Sequence, residues 1–222
     1  MKAIRPVRPA RGIGTPLARR EVSDVNTLRV MSDPLRIAIL RLLMTQADGA
    51  VRVMSAKELA AELGEPQTKL YRHLKQLEDV QLIEVAETRV VSGIIEQRYR
   101  TAQLDLTLSP VLVRDRGARG DLAGTVGAII DEFRDELRRN MRSERIDMRQ
   151  SSDPAAVGVI MHTGFARRMD IRRAREFRDR LAALAEEFDA APEDPTGSEI
   201  RMLIGWYGVT DDSTDDVNRD ST

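Results

Sequence analysis

SAKELAAELGEPQTKLYRHLKQLEDVQLI, residues 55–83, is the stretch whose reading decides the fold. Ser55 followed by Glu58 is the pattern of a capping box, in which hydroxyl and carboxylate satisfy each other's orphan backbone donors. Leu59 and Leu63 then recur at helical spacing, and Gly64 ends the first helix where a left-handed residue is easiest to place. Pro66 suits the first turn of the next helix, where its missing N–H costs nothing. Leu70, Leu74 and Leu77 follow at i, i+4 and i+7, one apolar stripe for packing. The opposite face carries Gln67, Thr68, Tyr71, Arg72 and Lys75, and no acid appears on this helix until Glu78. Two short helices joined by a tight turn make a helix-turn-helix. Its second helix, about residues 66–79, is expected to enter a DNA major groove with its N-terminal half against base edges.

The flanks extend this reading. Downstream, Leu82–Val91 and Ile94–Arg100 alternate, are rich in β-branched residues and meet at Ser92-Gly93, which predicts a hairpin. In this setting the hairpin, residues 82–100, is a wing, with Arg89 and Arg98 placed to meet phosphates or a minor groove. Each arginine taken alone reads equally well as a solvated charge. Upstream, Val25–Val30 predicts a short leading helix, and Ser32 or Asp33 caps a helix starting at Pro34. That second helix is apolar nearly all round (Leu35, Ile37, Ile39, Leu40, Leu42, Leu43), which means burial beneath the helix-turn-helix. Val51, Arg52 and Val53 are expected to add a short strand against the wing.

The motifs KELAAELG and TKLYRHLKQLEDVQLIE, with SDPLRIAILRLL before them, resemble the winged helix-turn-helix of ArsR-like bacterial transcription regulators, closest to the branch with an LYxHLKxL signature. The resemblance covers Asp24 to Thr101, a little over a third of the chain. It implies a homodimer, and it departs from the family at two places. Pro66 stands where Ser or Thr often caps the recognition helix, so the cap must be built differently. Gln81 stands where glycine is usual, so the turn into the wing is expected to be strained or reshaped.

Composition narrows the functional classes. With 41% apolar and 32% charged residues, the 222-residue chain can bury a core under a polar surface. No run reaches the length of a membrane span, and the first residues lack the apolar stretch of a secretory signal, so a cytoplasmic, nucleoid-associated location is expected. Cysteine is absent, which removes disulfides and thiolate chemistry, and His73 and His162 are the only imidazoles. Metal sensing is therefore poorly supported, and no cofactor is expected. The net charge of −1 conceals segregation: residues 1–20 carry Lys2, Arg5, Arg8, Arg11, Arg19 and Arg20 without an acid, while the chain from Glu186 on is dominated by Asp and Glu. A neutral total says little against DNA binding, because the field at a surface depends on local arrangement.

Four regions are expected: a disordered basic arm over 1–20, a winged helix-turn-helix over 21–113, a dimerisation helix with an α+β domain over 119–209, and an acidic tail over 210–222. The fold class is thus mainly α with α+β. Leu104–Val113 reads as extended, and RDRGARGD as a linker. Asp121 then opens a long helix whose stripe of Leu122, Val126, Ile129, Ile130, Phe133, Leu137 and Met141 needs a partner. Residues 157–169 and Glu199–Val209 read as strands around a helix over Asp170–Ala190, which Pro192–Gly197 breaks. Phe165 and Trp206 either belong to the core of that domain or border a pocket for a small apolar effector.

There is no GxGxxG, P-loop, HExxH or GxSxG, and His162 beside Thr163 reads as a structural histidine, so no enzyme is expected. The expectation is a homodimeric regulator of double-stranded DNA. Gln67, Thr68, Lys69, Tyr71, Arg72 and Lys75 are its reading face, and Arg89 and Arg98 its wing contacts. Lys69, Arg72 and Lys75, with no acids nearby, favour DNA over the alternative of a winged-helix module that binds only protein.

Overall fold

The computed structural model describes residues 8–9, 14–47, 50–91, 93–146, 167–192, 194, 197 and 200–208. It divides into two units, Met1–Ile146 and Asp147–Thr222.

In the first unit, helix α1 (Val25–Met31) starts where the Asp24 carboxylate accepts from the Thr27 N–H at 2.8 Å. Helix α2 (Pro34–Met44) is capped the same way by Asp33, which accepts from Arg36 N–H at 3.0 Å. Helices α3 (Ala56–Leu63) and α4 (Gln67–Asp79) form the helix-turn-helix. The capping box is present: Ser55 N–H donates to Glu58 Oε2 at 2.7 Å, and Glu58 N–H to Ser55 Oγ at 3.3 Å. Gly64 takes φ 66°, a left-handed conformation that it adopts without a Cβ penalty. Pro66 is the N-cap of α4 and not its first helical residue, and no side chain caps that end.

The far end of α4 shows how the missing glycine is accommodated. Leu82 N–H donates to Leu77 O and Gln81 N–H to Glu78 O, both at 2.9 Å, which is a Schellman turn. Gln81 sits at φ 57°, which costs a non-glycine residue about 1–2 kcal/mol. Two compensations are in place. Leu77 and Leu82, both fully buried, make the apolar contact that accompanies this turn. Arg20 donates to Gln81 O at 2.6 Å and Val80 O at 3.0 Å, putting a cation at the negative end of the helix.

The wing is β6 (Ile83–Val91) paired antiparallel with β7 (Ile94–Thr101), with a bulge between Val85 and Glu87. Two short strands extend this sheet to the order β1-β6-β7-β5, with β1 being Arg8–Pro9 and β5 being Met54–Ser55. The strand against the wing is therefore Met54–Ser55 and not residues 51–53. Ala50–Val51 (β4) pairs instead with Gln46–Ala47 (β3). The basic arm, expected to be disordered, is ordered over residues 14–20. Leu17 bridges Gln103, and β2 (Arg20–Val22) runs parallel to β8 (Leu106–Leu108) with Val22 in the core. Polar composition suggested disorder, but backbone pairing and the buried Val22 hold this segment down. Residues 110–113 are likewise not extended: Pro110–Arg114 is a short helix, α5, with Leu112 buried.

Helix α6 (Arg119–Arg142) begins two residues before Asp121, which sits in its first turn and pairs with Arg29 at 3.0 Å. The helix lies on α1 and α2 and so belongs to the first unit. The contact is partly polar. Thr125 Oγ1 donates to Leu28 O at 3.0 Å and lies 3.2 Å from Ser32 Oγ. Arg41 pairs with Glu132 at 2.9 Å and with Glu136 at 3.0 Å. Gly124 passes so close that a Cβ there would lie 3.0 Å from Ser32 Oγ. These contacts turn Thr125, Ala128 and Glu132 inward and leave Val126, Ile129 and Ile130 exposed.

In the second unit the described residues contain one helix, α7 (Ile171–Asp189), capped by Asp170. Residues 157–166 lie outside the described residues. Residues 167–170 and 200–208 have no regular secondary structure, which corrects the strand expected over Glu199–Val209. Alternating apolar residues suggested a strand there, but no partner strand lies among the described residues to take its backbone bonds.

Candidate nucleic-acid interface

Helix α4 is amphipathic as its sequence requires. Leu70, His73, Leu74 and Leu77 are buried, while Gln67, Thr68, Lys69, Tyr71, Arg72 and Lys75 are all exposed. All six expected residues of this helix therefore share its solvent side. Gln67 Nε2 donates to Tyr71 Oη at 2.6 Å, tying together the first two turns of that face. Arg72 makes no hydrogen bond or ion pair among the described residues, so its guanidinium is available to a ligand. The lysines differ from expectation. Lys69 pairs with Glu65 at 2.9 Å, and Lys75 with Asp79 at 2.7 Å. Glu65 precedes the helix and Asp79 ends it, and each lies four residues from its lysine, a helical spacing that brings side chains together. These surface pairs are worth little, so a phosphate can displace them.

The wing also differs. Arg98 points inward with its side chain 13% exposed. It pairs with Glu58 and Glu87, each at 2.9 Å, and donates to Val53 O. It fastens the wing to the capping box of α3, and is not placed as a phosphate contact. The Glu58 carboxyl it meets is subject to burial, which raises it, but the Ser55 N–H and Arg98 prevail and hold it below its ordinary 4.5. Arg89 is one-third exposed and paired with Glu87 at 2.8 Å. The tip of the wing is apolar, with Val90, Val91, Ile94 and Ile95 all exposed. Between tip and helix runs an open groove of about 530 Å³, lined by Gln67 and Tyr71 on one side and Val91, Ile94 and Ile95 on the other.

A polar cluster lies under the reading face. His73 is 3% exposed, with Nδ1 3.7 Å from Asp33. Arg36 reaches Gln76 Oε1 at 2.9 Å and also caps the end of α1 through Val30 O. The signal for it was legible: His73 falls at i+3 from Leu70 and i−4 from Leu77, inside the buried stripe. Burial holds the His73 imidazole below its ordinary 6.5. Asp33 opposes this, while Arg36, Arg72 and Lys69 reinforce it. The unfolded chain thus takes up a proton near pH 6.5 that the folded chain resists. Stability is full above that pH and falls as the solution is acidified below it. Urea unfolding at pH 7.5 and pH 5.5 is expected to show this loss in the wild type and to show it diminished in His73→Gln. Equal losses in both proteins would assign the acid sensitivity to other groups.

Among the described residues no group of three or more His, Cys, Asp or Glu is placed to hold a metal ion. No helix among them is long and apolar enough to cross a membrane. Of the pair expected to border an effector pocket, Phe165 lies outside the described residues. Trp206 is 45% exposed and stacks on Phe177 with ring centroids 6.4 Å apart.

No curated protein matches the chain. Residues 31–86 match the family model of a helix-turn-helix domain. That span runs from the end of α1 through the first residues of the wing and contains all of α4. On geometry and family model together, this chain carries a helix-turn-helix domain, with α4 as its second helix and a β-hairpin wing behind it.

Proposed function

We propose that the protein is a homodimeric, sequence-specific regulator of transcription of the ArsR-like winged-helix kind, resident in the cytoplasm. Its α4 lies in the major groove of double-stranded DNA. The observation that carries this reading is the outward face of α4. Six polar or cationic side chains stand in solvent on a helix whose other side is locked by Leu70, Leu74 and Leu77. A reading helix needs this combination of a free face and a fixed orientation. Arg72, unpaired at mid-helix, is the residue for a guanine edge or a phosphate. Gln67, Thr68 and Tyr71 serve the N-terminal end that meets bases. Lys69 and Lys75 exchange their carboxylate partners for phosphates on binding, and Arg89 is the wing cation that remains. Homodimerisation is supported by the uncovered apolar residues of α6.

Gel shifts with the protein's own promoter region, at several salt concentrations and against scrambled DNA, test the proposal. Tight binding to the promoter that weakens linearly in log–log form as salt rises is the expected result. Absence of binding at low salt would overturn it and leave a module that binds protein.

A further inference from the structure

In the second unit, α7 carries an apolar side that the described residues cover only in part. Phe177, Leu184 and Phe188 are 37%, 53% and 38% exposed, and the helix has no buried residue. Most of the stability of a helix with such a side comes from packing that side against a partner. Ala174, Phe177, Leu181, Leu184 and Phe188 follow at spacings of three, four, three and four, the alternation of a coiled-coil seam. Trp206 stacks on Phe177, and Arg173 and Arg180 lie 5.7 Å and 6.0 Å from the centre of the same ring, so the aromatic knob is held in place.

We propose that this seam is closed by α7 of a second copy of the chain, running antiparallel. The charge distribution chooses both partner and direction. In the first part of the helix five arginines (Arg172, Arg173, Arg175, Arg178, Arg180) outnumber Glu176 and Asp179, the latter paired with Arg178 at 2.6 Å, and Glu186, Glu187 and Asp189 end it with no base after Arg180. Parallel alignment sets Arg173 of one copy against Arg178 of the other, at the flanking positions that meet across a parallel seam, and like charges there repel. Antiparallel alignment stacks Leu181 on Leu184 and Phe177 on Phe188, and it places Arg180 beside Glu187. Because the arrangement is two-fold symmetric, each favourable pair occurs twice. A half with excess positive charge and an acidic half on one helix thus complement each other head to tail. The inference deepens the homodimer part of the proposal above, and adds a second seam distinct from α6.

The chain has no cysteine, so single-site spin labels can be placed without background. Arg172→Cys and Asp179→Cys both lie on the side of α7 away from the seam. At 1.5 Å rise per residue, antiparallel pairing separates the two copies of position 172 by about 30 Å along the axis, and those of position 179 by about 10 Å. Pulsed dipolar spectroscopy on the full chain is expected to give a clearly longer distance for the first label than for the second. Adding Leu184→Glu to the Asp179→Cys protein should abolish the second distance. Equal distances for the two labels would mean a parallel pair and overturn the inference. So would the absence of any intermolecular distance, or a distance that survives Leu184→Glu. If light scattering still finds a dimer in those cases, only the α7 seam has failed and the homodimer itself stands.

Discussion

Leu74→Ala should lose about 2–5 kcal/mol of folding stability, and its neighbour Arg72→Ala almost none. Leu74 is 1% exposed on the stripe that fixes α4, in a core shared with Leu43, Leu59, Leu70, Leu77 and Leu82. Removing most of its side chain leaves a cavity in a close-packed interior, and the surrounding helices close over it only in part. Arg72, two residues before, is exposed and touches nothing that its loss would strand. Its substitution should instead weaken promoter binding by roughly 1–3 kcal/mol if the guanidinium grips a base edge. Thermal melts paired with gel shifts on specific and scrambled DNA separate the two effects. Equal weakening on both DNAs, with a shallower salt slope, would make Arg72 a phosphate contact. No change on DNA that the wild type binds would show that α4 is not the reading element.

The second large effect concerns α6. Val126→Glu with Ile130→Glu, in a Leu184→Glu background that lacks the α7 seam, should convert a dimer at micromolar concentration into a folded monomer. Both side chains are about half exposed in the single chain, at 45% and 49%, so neither substitution opens the core. The inward side of the helix, with Thr125, Ala128 and Glu132, is untouched and keeps the helix on α1 and α2. In a dimer the same positions would be buried, and an unpaired carboxylate buried there is strongly unfavourable. A hundredfold or greater loss of affinity is expected, at about 1.4 kcal/mol per tenfold. Light scattering with a parallel melt measures both properties. If the unmodified protein is already monomeric at that concentration, the α6 seam does not exist.

Much of the first unit was legible because local rules and global fold agree there. Ser55 with Glu58, Gly64, the leucine stripe of α4 and Gly93 at φ 84° each act within a few residues, and each occurs where the spacing places it. What spacing alone did not convey is which charges are already spent. Arg89 and Arg98 are the same residue type on the same hairpin, yet the inward side of the sheet turns Arg98 onto Glu58 and Glu87. Lys69 and Lys75 meet carboxylates four residues away, Glu65 just before the helix and Asp79 at its last turn.

The sequence by itself determined the helix-turn-helix, the hairpin and its turn, the buried α2 and the amphipathic helices α6 and α7. These follow from periodicity, caps and turn residues, which are properties of neighbours in the chain. Only the tertiary structure decided three things. It bound Arg20 to the strained turn at Gln81, and it set Asp33 and Arg36 of another helix and its cap beside the buried His73. It also oriented α6, turning Thr125 and Ala128 inward and leaving Val126 and Ile130 of the apolar stripe outside. Each joins residues that are remote in sequence. Whether a helix face meets protein or water depends on what the rest of the chain packs against it, and no local pattern carries that information.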